Sequence, residues 1–122
     1  MTESQQTRKL CKGLETLGVR SVAIVGSKMQ LPGVTDRIFL AKGLPGGTAW
    51  VEFKVKGGVI SPAQKRFGQD ATKRGALAVI YWFGLNRFTD FDNNELCFAP
   101  SDSPKLWLHT LMELGLDATA QS

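Results

Sequence analysis

"WVEFKVKGGVISPAQ" (residues 50–64) contains the strand and the helix start on which the fold turns. Successive side chains of a strand point to opposite faces. Val51, Phe53 and Val55 therefore share one face, and Trp50, Glu52, Lys54 and Lys56 the other. Two readings compete for that second face: the solvated, charged side of a half-exposed strand, or a metal and proton-transfer site. The stretch then ends in helix punctuation. Ser61 can cap, Pro62 suits the first helical position, and Gln64 stands where a capping box places Glu or Gln.

Upstream, "TDRIFLA" (35–41) reads as a strand and "KGLPGG" (42–47) as a turn, which makes "TAWVEFKVK" (48–56) the second arm of an antiparallel hairpin. "SVAIVG" (21–26) is a further strand, and residues 3–17 space Leu10, Leu14 and Leu17 at helical intervals before Gly18. Downstream, Ala63, Phe67 and Ala71 form an apolar stripe on a helix over 61–75, closed by Gly75. The unbroken apolar run "ALAVIYW" (76–82) is the signature of a central, buried strand. Residues 83–102 are mixed, with a short strand at "LCFA" (96–99). "SPKLWLHTLMELG" (103–115) is a final helix, and the tail "LDATAQS" (116–122) is expected to fray. The order α-β-β-β-α-β plus a C-terminal helix predicts one α/β domain over 1–122, a mixed sheet with helices on its faces.

Composition excludes some classes. The chain has 122 residues, 43% of them hydrophobic and 21% charged, as in ordinary globular domains. No apolar run approaches the roughly 20 residues that span a bilayer. "MTESQQTRKL" lacks the apolar core of a secretory signal. Cys11 and Cys97 show neither CxxC spacing nor disulfide density. A cytoplasmic home without membrane association is expected. The net charge of +4 hides an asymmetry, because residues 1–88 hold 14 of the 15 Lys and Arg but 5 of the 11 acids. That distribution suits a polyanion-facing body followed by an acidic extension over 89–122, and equally suits solvated surface charge. "GLPGG" lacks the Lys-Ser/Thr ending of a P-loop. His109 sits in the final helix and is assigned no chemistry.

A loop centred near Gly43–Leu44 would set Asp36 and Glu52 side by side on adjoining strands. Two close carboxylates repel unless a cation joins them, and Mg²⁺ prefers one or two carboxylate oxygens with several waters. Such an ion can supply a nucleophilic water and stabilise charge on a phosphate, while Lys54, on the face of Glu52, holds that water. The set suits phosphodiester hydrolysis. E-x-K alone is a weak signal; joined to Asp36 and a basic helix it becomes moderately specific.

"GVTDRIFL" (33–40) and "WVEFKVKGGVISPAQKRFGQDATKRGALAVIYW" (50–82) resemble the virus-type replication–repair nuclease domain (VRR-NUC), a branch of the PD-(D/E)xK nucleases. The resemblance covers about residues 3–82 and is closest to stand-alone phage members. It implies a restriction-endonuclease-like αβββαβ core. It also implies that Asp36, Glu52 and the backbone carbonyl of Phe53 bind Mg²⁺ or Mn²⁺, that Lys54 activates water, and that Gln64 supports the site. The family's helix-1 glutamate falls on Glu3 rather than Glu15, because Glu3 starts the helix. Thr35 stands where the family has proline before the aspartate, a change that removes no ligand. The implied activity is a structure-selective DNA endonuclease that resolves Holliday junctions as a homodimer, in DNA repair or replication. Lys28, Arg37, Lys56 and Lys65 are the expected phosphate contacts. A flap or nicking nuclease, and a non-catalytic DNA-binding module on the same scaffold, remain alternatives; metal-dependent cleavage separates the last from the others.

Overall fold

A computed structural model describes residues 2–24 and 37–120, with side chains through Leu116. The elements run α1 (Glu3–Glu15), β1 (Arg20–Ala23), β2 (Arg37–Leu40), β3 (Thr48–Val55), α2 (Pro62–Lys73), β4 (Ala78–Phe83), β5 (Arg87–Thr89), β6 (Glu95–Phe98) and α3 (Pro104–Ala120). The six strands form one sheet in chain order. Only the β3–β4 pair is parallel, because only that connection carries a crossover helix, α2.

The hairpin forms as its turn chemistry predicts. Arg37 pairs with Val51 and Leu40 with Thr48, around a loop closed by the Ala41 N–H on the Gly47 carbonyl at 3.0 Å. The even register keeps the alternation of β3 intact. Val51 and Phe53 enter the larger core, where α1 and α3 lay Leu10, Leu14, Trp107 and Leu111 over Phe39, Tyr81 and Phe88. Trp107 sits at its centre, stacked on Phe53 with ring centroids 6.1 Å apart. Each such side chain contributes about 1.5–3 kcal/mol when fully buried.

The opposite face of the sheet is covered by α2. Phe67 meets Trp50 edge-on at 5.6 Å, and Ala71 packs with Ala78, Ile80, Trp82 and Phe91. Gly68 lets the helix approach closely, since a Cβ there would lie 2.1 Å from the Phe91 ring. Gly75, at φ +85°, ends the helix in the left-handed region, as expected from its position. With helices on both sides, β3 is covered on both faces, so its charged alternation is not the solvated side of a half-exposed strand.

Three expectations are revised. A strand at Arg87–Thr89 joins the sheet inside the stretch read as mixed; it is three residues long and is held by partners on both sides rather than by its own periodicity. Residues expected to fray continue α3 as far as Ala120. The 21–26 and 35–41 strands are seen as Arg20–Ala23 and Arg37–Leu40, and their remaining residues from Val25 to Asp36 lie outside the described residues.

Candidate active site

Glu52 is 1% exposed, the most buried acid described. It lies on β3 opposite Ile80 of β4, on the face that α2 covers. A carboxylate taken out of water loses several kcal/mol of solvation unless donors replace the water. Two donors converge on its Oε1 atom. The Gln64 Nε2–H donates at 2.7 Å, and the Lys54 ammonium stands 3.5 Å away with its side chain 19% exposed. Lys54 thus links the buried carboxylate to the surface.

The local sequence explains this arrangement. Glu52 and Lys54 are two apart on one strand and so share a face. Gln64 is third in α2, whose N-cap is Ser61, and a full capping box is present. Gln64 N–H donates to Ser61 Oγ at 3.1 Å, and the Ser61 N–H donates to Gln64 Oε1 at 2.9 Å. The side-chain amide is therefore used at both ends, its oxygen by the cap and its nitrogen by Glu52.

Glu52, Lys54 and Gln64 are the predicted residues that come together. Phe53 follows Glu52 in the strand, its ring buried in the opposite core. Glu3 opens α1, the layer across the sheet from α2. Lys56 is exposed in the turn after β3. Lys65 is exposed on α2, with its ammonium 3.6 Å from Asp92 Oδ1. Arg37 does not join the site. Paired with Val51, it shares that residue's face rather than that of Glu52, and its Nη1 donates to Ser21 Oγ at 3.2 Å. Asp36 and Lys28 lie outside the described residues.

Asp92 was not singled out in the sequence. It accepts from Gln69 Nε2 at 2.7 Å as well as facing Lys65, and Phe91 beside it is buried against α2. The acidic run "DFDNNE" (90–95) beyond a basic helix was the available signal.

Among the described residues, no group of three or more His, Cys, Asp or Glu side chains is placed to hold a metal ion. The donor the structure places on this face is nonetheless a hard one, the Glu52 carboxylate. That chemistry fits Mg²⁺ or Mn²⁺ and not a soft-ligand metal. Cys11 and Cys97 pack with the other core, and His109 is on α3 with its Nε2 3.0 Å from Glu113.

The sheet and helix order define an α/β fold with a restriction-endonuclease-like core. No family model matches this chain, and no curated protein does. Among solved structures it is similar to Archaeoglobus fulgidus Hjc, a Holliday junction resolvase from an archaeal hyperthermophile, at 16% identity and a TM-score of 0.52, over 73% of this chain and 77% of the other. That likeness establishes the fold, which is broader than the VRR-NUC branch suggested by the motifs. No helix of the described residues is long and apolar enough to cross a membrane.

Proposed function

We propose that this chain is a divalent-metal-dependent endonuclease that hydrolyses DNA phosphodiester bonds, acts on branched DNA such as four-way junctions, and works as a homodimer. The observation that carries the reading is the buried Glu52 carboxylate, held by Gln64 at 2.7 Å and paired with Lys54 at 3.5 Å. A buried, hydrogen-bonded acid next to a partly exposed lysine is an expensive arrangement for a strand whose stability would be served by apolar residues.

The resemblance carried by "GVTDRIFL" (33–40) supplies Asp36 as the second acid. Glu52, Asp36 and the Phe53 carbonyl would hold Mg²⁺ or Mn²⁺, and Glu3, in the layer across the sheet, would reach such an ion only through water. The ion, when bound, supplies Lewis-acid stabilisation of phosphate charge and makes water more acidic. Lys54 directs its ammonium protons toward the attacking water and the phosphate oxygens. Gln64 restrains the Glu52 carboxylate, which keeps the ligand oriented without a change of rotamer.

Lys28, Lys56 and Lys65 serve as backbone contacts, which position DNA without reading sequence. The cations concentrated in residues 1–88 suit this role. One site per chain cuts one strand, so symmetric cuts across a junction need a two-fold pair of chains. The similarity of fold to a junction resolvase favours branched DNA over a flap or nicked duplex. The test is a metal titration with labelled four-way junction, flap and linear duplex, comparing wild type with Glu52→Gln. Junction cleavage that needs Mg²⁺ or Mn²⁺ and disappears in the variant is expected; equal cleavage by the two proteins would refute the assignment.

A further inference from the structure

We propose that the N-cap of α2 is a positioning device for the site. The main-chain N–H of Ser61 sets which way round the Gln64 amide sits, and so delivers Nε2–H to Glu52. The catalytic consequence rests on the nuclease reading, whereas the geometry does not.

A glutamine amide has one accepting end and one donating end. Here the two neighbours are of opposite kind. The Ser61 N–H, a donor, stands 2.9 Å from Oε1, and the Glu52 carboxylate, an acceptor, stands 2.7 Å from Nε2. Turning the amide over would set two donors against each other at the cap and two oxygens against each other at Glu52. Both contacts are satisfied in one orientation only, and the cap N–H is what enforces it from the helix side. The Ser61 Oγ contributes indirectly, by accepting the Gln64 N–H at 3.1 Å and so holding the first turn in place.

The choice of glutamine carries the same message. A capping box accepts Glu as readily as Gln at this position, and Glu near a helix N-terminus gains from the helix dipole. A cap serving only α2 would therefore be met as well by a glutamate in place of Gln64. In this site a glutamate would satisfy the Ser61 N–H but turn its second oxygen on Glu52. Glutamine is the residue that serves helix and carboxylate together, so Ser61 is a positioning residue acting through Gln64.

The backbone allows a direct test. Ser61 has φ −69° and ψ 155°, values that proline adopts without strain, and Pro62 already holds Ser61 in the extended region. Ser61→Pro removes the N–H and the Oγ. Ser61→Ala removes the Oγ alone, and Ser61→Thr keeps both. Metal-free, ¹⁵N-labelled proteins are compared by NMR for solvent exchange of the Gln64 Nε2 protons. Exchange is expected to be slow in wild type, Ser61→Thr and, to a lesser degree, Ser61→Ala, and clearly faster in Ser61→Pro.

Cleavage of labelled four-way junction with Mg²⁺ forms the second arm. Ser61→Pro and Gln64→Glu should lose about tenfold or more in kcat with KM within about twofold, as misplacement of a site group does, and Ser61→Thr should restore the wild-type values. Should Ser61→Pro not fold, Gln64→Glu carries the test, since it retains the cap and loses only the donor to Glu52; thermal denaturation confirms that the variant is folded at the assay temperature. Wild-type protection of the Gln64 amide in Ser61→Pro, or wild-type kcat in Gln64→Glu, would overturn the proposal. If wild type cleaves no DNA with any metal, the nuclease reading fails and the NMR arm alone decides the positioning role.

Discussion

Replacing Glu52 by its amide separates the catalytic value of the charge from its structural value. At 3.5 Å, the Lys54 attraction amounts to about 5 kcal/mol at an effective dielectric constant of ~20. Burying the carboxylate opposes this with a desolvation penalty of several kcal/mol. Glu52→Gln removes both terms at once and keeps an oxygen that can accept from Gln64. Its stability should therefore stay within about 1 kcal/mol of wild type, because the two removed terms are of similar size. Glu52→Ala removes the acceptor as well, stranding the Gln64 amide and the Lys54 ammonium. It should lose about 2–4 kcal/mol, toward the lower end because Lys54 can reach solvent. Urea denaturation followed by tryptophan fluorescence measures both. Junction cleavage should vanish in both variants. A Glu52→Gln protein that is as unstable as Glu52→Ala would mean that the charge is a structural ion pair, and the catalytic reasoning would fall.

Four further outcomes follow from the same geometry. Lys54→Met should cut kcat by about 100-fold or more while changing junction affinity less than threefold, measured by single-turnover cleavage and anisotropy; the scale is that of losing one aligned charged group. Gly68→Ala gains about 1 kcal/mol of helix propensity but drives a methyl to within 2.1 Å of the Phe91 ring. The overpacking cost of about 1–3 kcal/mol should win, and a raised midpoint of denaturation would refute the close approach. Asp92→Asn should release Lys65 and tighten DNA binding a few-fold at low salt, an effect that fades as salt screens it. Burial pushes the Tyr81 hydroxyl from the ordinary 10.0 up to about 12. Its stabilising contribution is thus complete below pH 10 and lost as pH rises toward 12, because the unfolded chain releases the proton first. As the chain's one tyrosine, Tyr81 should show this directly in tyrosinate absorbance, and Tyr81→Phe should abolish that part of the alkaline loss.

Much of the site was legible because its signals are local. The i, i+2 spacing of Glu52 and Lys54 puts them on one face of any strand. The Ser61-Pro62-Ala63-Gln64 run specifies a capped helix start from four residues. The turn at 42–47 set the hairpin, and the observed pairing of Arg37 with Val51 follows from it. By contrast, nothing local announced Arg87–Thr89, a strand held by β4 and β6 rather than by any pattern of its own.

The sequence by itself determined the periodicities: which side chains share a face, where helices begin, and where the chain must turn. Those depend on φ/ψ preferences and hydrogen bonds spanning a few residues. Only the tertiary structure decided that the Glu52 face is covered rather than solvated, that Gln64, besides capping α2, donates to Glu52 twelve positions earlier, and that Asp92 reaches back to Lys65. Burial is a property of what packs over a residue, and here the covering elements are joined to β3 only through the crossover and the sheet.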